Sequence, residues 1–87
     1  MKVYMITYDL NSPGQDYETL HETIQGFGAW AHYFTSVWFV YTNMNPIDMR
    51  EKIQSVIDKN DTFFICSVND YQGYANEELW EWLSERV

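Results

Sequence analysis

Few side chains in this sequence are of the types that carry out chemistry unaided. The only imidazoles are His21 and His32, and the only thiol is Cys66. An imidazole changes charge near neutrality and is the usual general acid or base. His21 lies between Leu20 and Glu22 in a helix-like stretch and reads as solvent-facing. His32 lies in the aromatic run Trp30-Ala31-His32-Tyr33, on the side of Trp30. It reads as held by a nearby backbone or hydroxyl group, with acid–base work as the alternative. Cys66 is flanked by Ile65 and Ser67 within an apolar run, where a cysteine behaves as a small hydrophobe. One cysteine forms no internal disulfide, and there is no CxxC pair to hold zinc. The segment Ser12-Pro13-Gly14-Gln15 is too short for a phosphate-cradling loop and carries no lysine. Its composition is that of a turn.

These residues are positioned by a chain of 87 residues, room for a single domain over 1–87. Lys2–Leu10 is rich in β-branched and aromatic residues and reads as a strand to about Asp9. Tyr4, Ile6 and Tyr8 fall on one face, and Val3, Met5, Thr7 and Asp9 on the other. Neither face is polar throughout, so the strand is expected to be covered on both. Asp16–Phe27 has helical spacing in Tyr17, Leu20, Ile24 and Phe27, with Asp16 as N-cap and Gly26 and Gly28 at its stop. Ala29–Phe34 and Val37–Thr42 read as two strands joined at Thr35-Ser36. Asn45-Pro46 opens a second helix with the stripe Met49, Ile53, Val56 and Ile57, closed by Lys59-Asn60-Asp61. Thr62–Val68 is the fourth strand, with Phe64, Cys66 and Val68 on one side. Glu77–Arg86 is a terminal helix with Leu79, Trp80, Trp82 and Leu83 as its apolar residues. The order β-α-β-β-α-β with a tail helix predicts an α+β, ferredoxin-like sandwich: a four-stranded antiparallel sheet with both main helices on one face.

Composition narrows the partners. Thirteen acidic residues against five basic ones give a net charge of −8. Nucleic-acid affinity depends on neutralising phosphates with Lys and Arg, so free nucleic-acid binding is expected to be weak and a basic protein partner easier to accommodate. Aromatics make up 18% of the chain, more bulk than a core of this size needs, so part of it is expected at an interface. Trp80 and Trp82, two apart on a helix, cannot both face one core. One is expected to anchor the helix and the other to meet a partner, with Glu81 on the acidic Glu77-Glu78-Glu81-Glu85 face beside them. A sheet with both helices on one side would leave the face of Val3, Met5 and Thr7 open, which predicts a homodimer through it. No apolar run reaches the length that spans a bilayer, and no cleavable apolar segment opens the sequence. A cytoplasmic setting is expected.

Four stretches, Tyr8-Asp9-Leu10-Asn11, Pro13-Gly14-Gln15-Asp16-Tyr17, Trp30-Ala31-His32-Tyr33 and Ser36-Val37-Trp38, carry a resemblance, with the tail Leu79-Trp80-Glu81-Trp82-Leu83 fitting loosely. In that order they resemble the SinR-like and VapD-like members of the CRISPR-associated ferredoxin-fold endoribonuclease superfamily. The resemblance implies the fold, dimerisation and a place in prokaryotic or phage defence. It also implies a role for Asp9, which matches an aspartate at the end of the first strand that faces its dimer mate in those relatives. Two such carboxylates would suit Mg²⁺ or Mn²⁺, hard cations that take oxygen ligands, and the metal would then activate water. The other reading of Asp9 is structural: a strand-end aspartate that hydrogen-bonds the Asn11–Gly14 turn. Two functions therefore stand. One is a protein-binding or assembly module that needs no cofactor, the other a metal-dependent endoribonuclease built on Asp9 from two protomers. Whether His32, Asn11, Gln15 or Asp16 joins a site is left open by the sequence.

Overall fold

The central strand sets the architecture. In the computed structural model, which describes residues 1–11 and 17–87, β1 (Lys2–Asp9) runs antiparallel to β3 (Val37–Thr42) on one side and β4 (Thr62–Ser67) on the other. β2 (Ala29–Phe34) pairs with β3, and the sheet order is β2-β3-β1-β4. The described residues thus form an α+β fold, with a four-stranded antiparallel sheet and three helices. A strand with neighbours on both edges and helices on both faces has no wet side, which is why Lys2–Asp9 alternates so weakly.

Helices α1 (Glu18–Gln25) and α2 (Pro46–Gln54) cover one face. Leu20 and Ile24 from α1, and Met49 and Ile53 from α2, pack on Tyr4, Ile6, Tyr8, Trp38 and Val40. Each such buried aliphatic side chain contributes about 1.5–3 kcal/mol of transfer free energy. Asn45 caps α2 by accepting the Ile47 N–H at 2.9 Å, with Pro46 at the first helical position. α2 ends at Gln54, earlier than the apolar stripe predicts. Ser55 closes it, and Val56 and Ile57 pack on the core from the following turn. Two consecutive β-branched residues are poor helix formers, so leaving the helix there costs little.

α1 begins after Tyr17, which makes no side-chain cap, and ends at Gly26. The expected turn at Ser12-Pro13-Gly14, Gln15, and the cap at Asp16 lie outside the described residues. Gly28 is required by close approach: a Cβ there would run into the backbone carbonyl of Tyr41 on β3.

The other face of the sheet is not left open. α3 (Glu77–Arg86) lies across it, with Leu79 and Leu83 buried on Val3, Ala31 and Phe39. Val3 retains only 2% exposure. Asn76 caps α3 by accepting the Glu78 N–H at 2.8 Å. Glu77 and Glu78 in its first turn and Arg86 in its last suit the helix dipole. Tyr33 of β2 donates its hydroxyl to Glu78 at 3.0 Å, tying sheet to helix. That carboxylate, with smaller contributions from desolvation and Glu81, holds the Tyr33 phenol above its ordinary value. No helix among the described residues is long and apolar enough to cross a membrane.

Candidate functional site

Strand register arranges the face under α3 into rows that run across all four strands. Val3 lies beside Tyr41, which pairs with Ala29, and the Val68 N–H donates to the Val3 carbonyl at 2.9 Å. The next row is Ala31, Phe39, Met5 and Cys66, and the one after it Phe34, Val37, Thr7 and Phe64. α3 sits over the first row and much of the second. The third is uncovered at both ends, where Phe34 is 41% exposed and Phe64 63% exposed, with Val37 and Thr7 half-buried between them. A β-bulge between Ala31 and Phe34 brings Phe34 onto this face, where its ring lies 6.4 Å from that of Phe39. Cys66 is half-buried in the middle row opposite Met5.

Asp9 stands on β1 just beyond the third row, two residues past Thr7. It is exposed, pairs with Thr62, and borders a shallow cleft of about 290 Å³ with Thr7, Tyr8, Thr62, Phe63 and Phe64. Its carbonyl accepts the Asn11 side-chain amide at 3.5 Å. Among the described residues no group of three or more His, Cys, Asp or Glu side chains is placed to hold a metal ion. Among the described residues that line this cleft, Asp9 is the one that carries a carboxylate.

The carboxylate that the fold does organise is Asp61, read from sequence only as part of a helix end. It is 8% exposed and accepts from three donors among the described residues. Oδ1 takes the Asn11 N–H at 2.8 Å and Oδ2 the Asp58 N–H at 2.9 Å. The Tyr17 hydroxyl reaches both oxygens, at 2.9 and 3.0 Å. Burial pushes its carboxyl up, but the Asn11 and Asp58 N–H groups and the Tyr17 hydroxyl outweigh that and hold it below the usual carboxylate range. Asp61 fastens the end of β1 to the start of α1 and the α2–β4 turn. Asn11 adds a side-chain bond to the Asn60 carbonyl at 3.3 Å, so its role in the described structure is to brace this junction.

The two histidines, apart in sequence, meet on the α1 face. His21 is half-buried, contrary to a solvent-facing reading, because α1 crosses β3 at Trp38. Its Nε2 lies 3.3 Å from the Tyr8 hydroxyl, which accepts the Trp38 indole N–H at 2.9 Å. His32 stacks on the Trp38 ring with centroids 3.8 Å apart, and its Nε2 lies 3.4 Å from the Thr35 carbonyl. The imidazole centroids are 6.1 Å apart. Both are on the face opposite Asp9, so they do not join it in one site.

The indoles expected to divide between core and partner are both engaged by their own chain. Trp80 stacks on Tyr71 with centroids 5.7 Å apart. Trp82 packs on the sheet-side cluster with the Arg86 guanidinium 4.5 Å above its ring. Glu81 is exposed between them. The exposed aromatics of the sheet are instead Trp30, Tyr33, Phe34 and Phe64, of which Phe34 and Phe64 lie in the uncovered row. The sequence signal for Phe64 was present, since it lies on the face assigned to Phe64, Cys66 and Val68.

No protein-family model matches the chain, and no solved structure matches it.

Proposed function

We propose that the protein is a small acidic assembly module that works as a symmetric pair and binds a basic protein partner, in the prokaryotic or phage defence setting that its sequence resemblance implies. The finer fold belongs to the same reading: the order β-α-β-β-α-β and the sheet order β2-β3-β1-β4 fit a ferredoxin-like sandwich, with α3 as an addition on the second face. The observation that carries the proposal is the uncovered row Phe34-Val37-Thr7-Phe64. Two phenyl rings at the ends of one row, on a face otherwise sealed by a helix, are the kind of apolar surface that a monomer hides by pairing. A two-fold axis lets one such surface cover its own copy. The exposed Glu77, Glu78, Glu81 and Glu85 on α3, in a chain of net charge −8, then present a negative rim to a basic partner.

Light scattering at raised salt and on the order of hundreds of micromolar, where a weak pair of like-charged chains is favoured, tests the pairing. The wild type is expected at twice the chain mass of 10.4 kDa, and Phe64→Asp at the mass of one chain with its far-UV circular dichroism unchanged. A wild type that runs as a single chain refutes it.

A second reading rests on the place of Asp9 just beyond that same row. Pairing through the row would bring an Asp9 from each protomer to one interface, the arrangement that a metal-dependent endoribonuclease with Mg²⁺ or Mn²⁺ requires. Against it stands the charge of such a pair, near −16 (twice −8), which repels RNA at long range.

A further inference from the structure

The outer edge of β4 carries unspent hydrogen-bonding capacity. Since the Val68 N–H donates to Val3, antiparallel alternation turns the N–H and C=O of Cys66, Phe64 and Thr62 toward β1. Those of Phe63, Ile65 and Ser67 then point away from the sheet, and β4 is its last strand. Among the described residues nothing pairs with them. An open row of this kind is a template for another strand.

Beside this edge lies a groove of about 380 Å³ between β4 and α2, lined by Pro46, Ile47, Arg50, Gln54, Phe63, Phe64 and Ile65. Its walls are apolar: Ile47 is 55% exposed and faces Phe63 and Ile65 across it. Its one charge is positive. Arg50, one of only five basic residues in the chain, has no ion-pair partner among the described residues. Gln54 follows one helical turn later on the same wall and adds amide donors.

We propose that this groove binds an extended peptide, which adds to β4 as a further strand and places a carboxylate on Arg50. The three features select this occupant together. The open ladder requires extended backbone, the apolar walls take alternate side chains of a strand, and an unpaired guanidinium favours a carboxylate, which it can hold bidentately. A side chain at one position then sits between Ile47 and Ile65, and an Asp, Glu or terminal carboxylate two positions on reaches Arg50. This surface shares Phe64 with the Phe34–Phe64 row but runs along the outer edge of β4 and over α2, and peptide binding to it does not depend on pairing.

Short random peptides displayed on phage and panned on the full chain test the proposal, followed by fluorescence polarisation with a labelled copy of the enriched peptide. The enriched sequences are expected to alternate apolar residues around one fixed acidic position. Arg50→Glu is expected to weaken the peptide by about tenfold or more, and Ile47→Asp to weaken it as well. Both positions are exposed, and circular dichroism checks that each variant folds, with Arg50→Gln as a milder alternative. Hydrogen exchange is expected to slow at the Phe63 and Ile65 amides when the peptide binds. The proposal is overturned if no sequence is enriched, or if an enriched peptide ignores both substitutions. It is also overturned if the edge is taken by a second copy, seen as a mass that drops to one chain in Arg50→Glu while no peptide is selected.

Discussion

Replacing Tyr8 by Phe isolates the polar contact at the centre of the α1 face. The Tyr8 hydroxyl accepts the Trp38 indole N–H at 2.9 Å in a buried setting, and lies 3.3 Å from His21 Nε2. With that nitrogen in its acceptor tautomer the bonds run in one direction, from Trp38 to Tyr8 to His21. Phe keeps the ring, so packing is preserved and no cavity opens. What is lost is the partner of a buried N–H, a cost of about 1–3 kcal/mol, plus a part-buried bond of about 0.5–1.5 kcal/mol. Each kcal/mol moves the midpoint of a domain of this size by roughly 4–8 °C. Tyr8→Phe is therefore expected to lower Tm by at least about 6 °C. Thermal unfolding followed by near-UV circular dichroism measures this, and the Trp38 indole proton, protected in the wild type, is expected to exchange faster in the variant. A cycle with Trp38→Phe should show a coupling of about 0.5–3 kcal/mol, because the second change removes the orphaned donor. A drop of less than about 2 °C with the indole proton still protected would mean that Trp38 finds another acceptor, and the reasoning fails.

Two further outcomes are expected. The Asp61 carboxyl is held below its ordinary value, so its contribution is complete above the unfolded-state value and is lost as pH falls through the folded one. The wild-type Tm should decline on acidification from about pH 5 to 2, and Asp61→Asn should start lower and decline less steeply there; parallel curves would refute the role given to Asp61. If the metal reading holds, RNA cleavage by the purified protein should require Mg²⁺ or Mn²⁺ and vanish in Asp9→Ala; equal cleavage by both proteins would dissociate the activity from Asp9.

Much of this fold was legible because its signals are local. The cap Asn45-Pro46, the stop at Gly26 and the β-branched and aromatic run Val37–Thr42 each depend on a few neighbouring residues, and the elements appear where those residues put them. Features that depend on distant partners were not legible. Asp61 looks like any turn aspartate until Asn11 and Tyr17, 50 and 44 residues away, are seen to donate to it. His21 looked solvated because it falls between Leu20 and Glu22, outside the apolar spacing of Tyr17, Leu20, Ile24 and Phe27, whereas its surroundings come from β1 and β3. The stripe of α3 announced an amphipathic helix correctly, but a stripe does not say which face of a sheet it will cover. That omission made the second face appear open in full.

The position of α3 sets the strength expected of any pair. Strands lie about 4.8 Å apart, so a row across four of them is roughly 14 Å wide, and the uncovered part extends only about two rows along the strands. That amounts to a few hundred Å² per copy, short of the ~800 Å² per partner of a standard stable interface. The helix also stands about 10 Å proud of the sheet, so two copies cannot press flat faces together. To pair through this row they would have to step past one another, each α3 lying beside the other. In such a pair the four exposed glutamates of one α3 would approach those of the next, which would oppose association at low salt and be relieved by screening. The pair is therefore expected to be a weak one that tightens as salt is raised, or when a basic partner neutralises the rim. This links the two halves of the proposed function, because binding the partner would itself favour pairing.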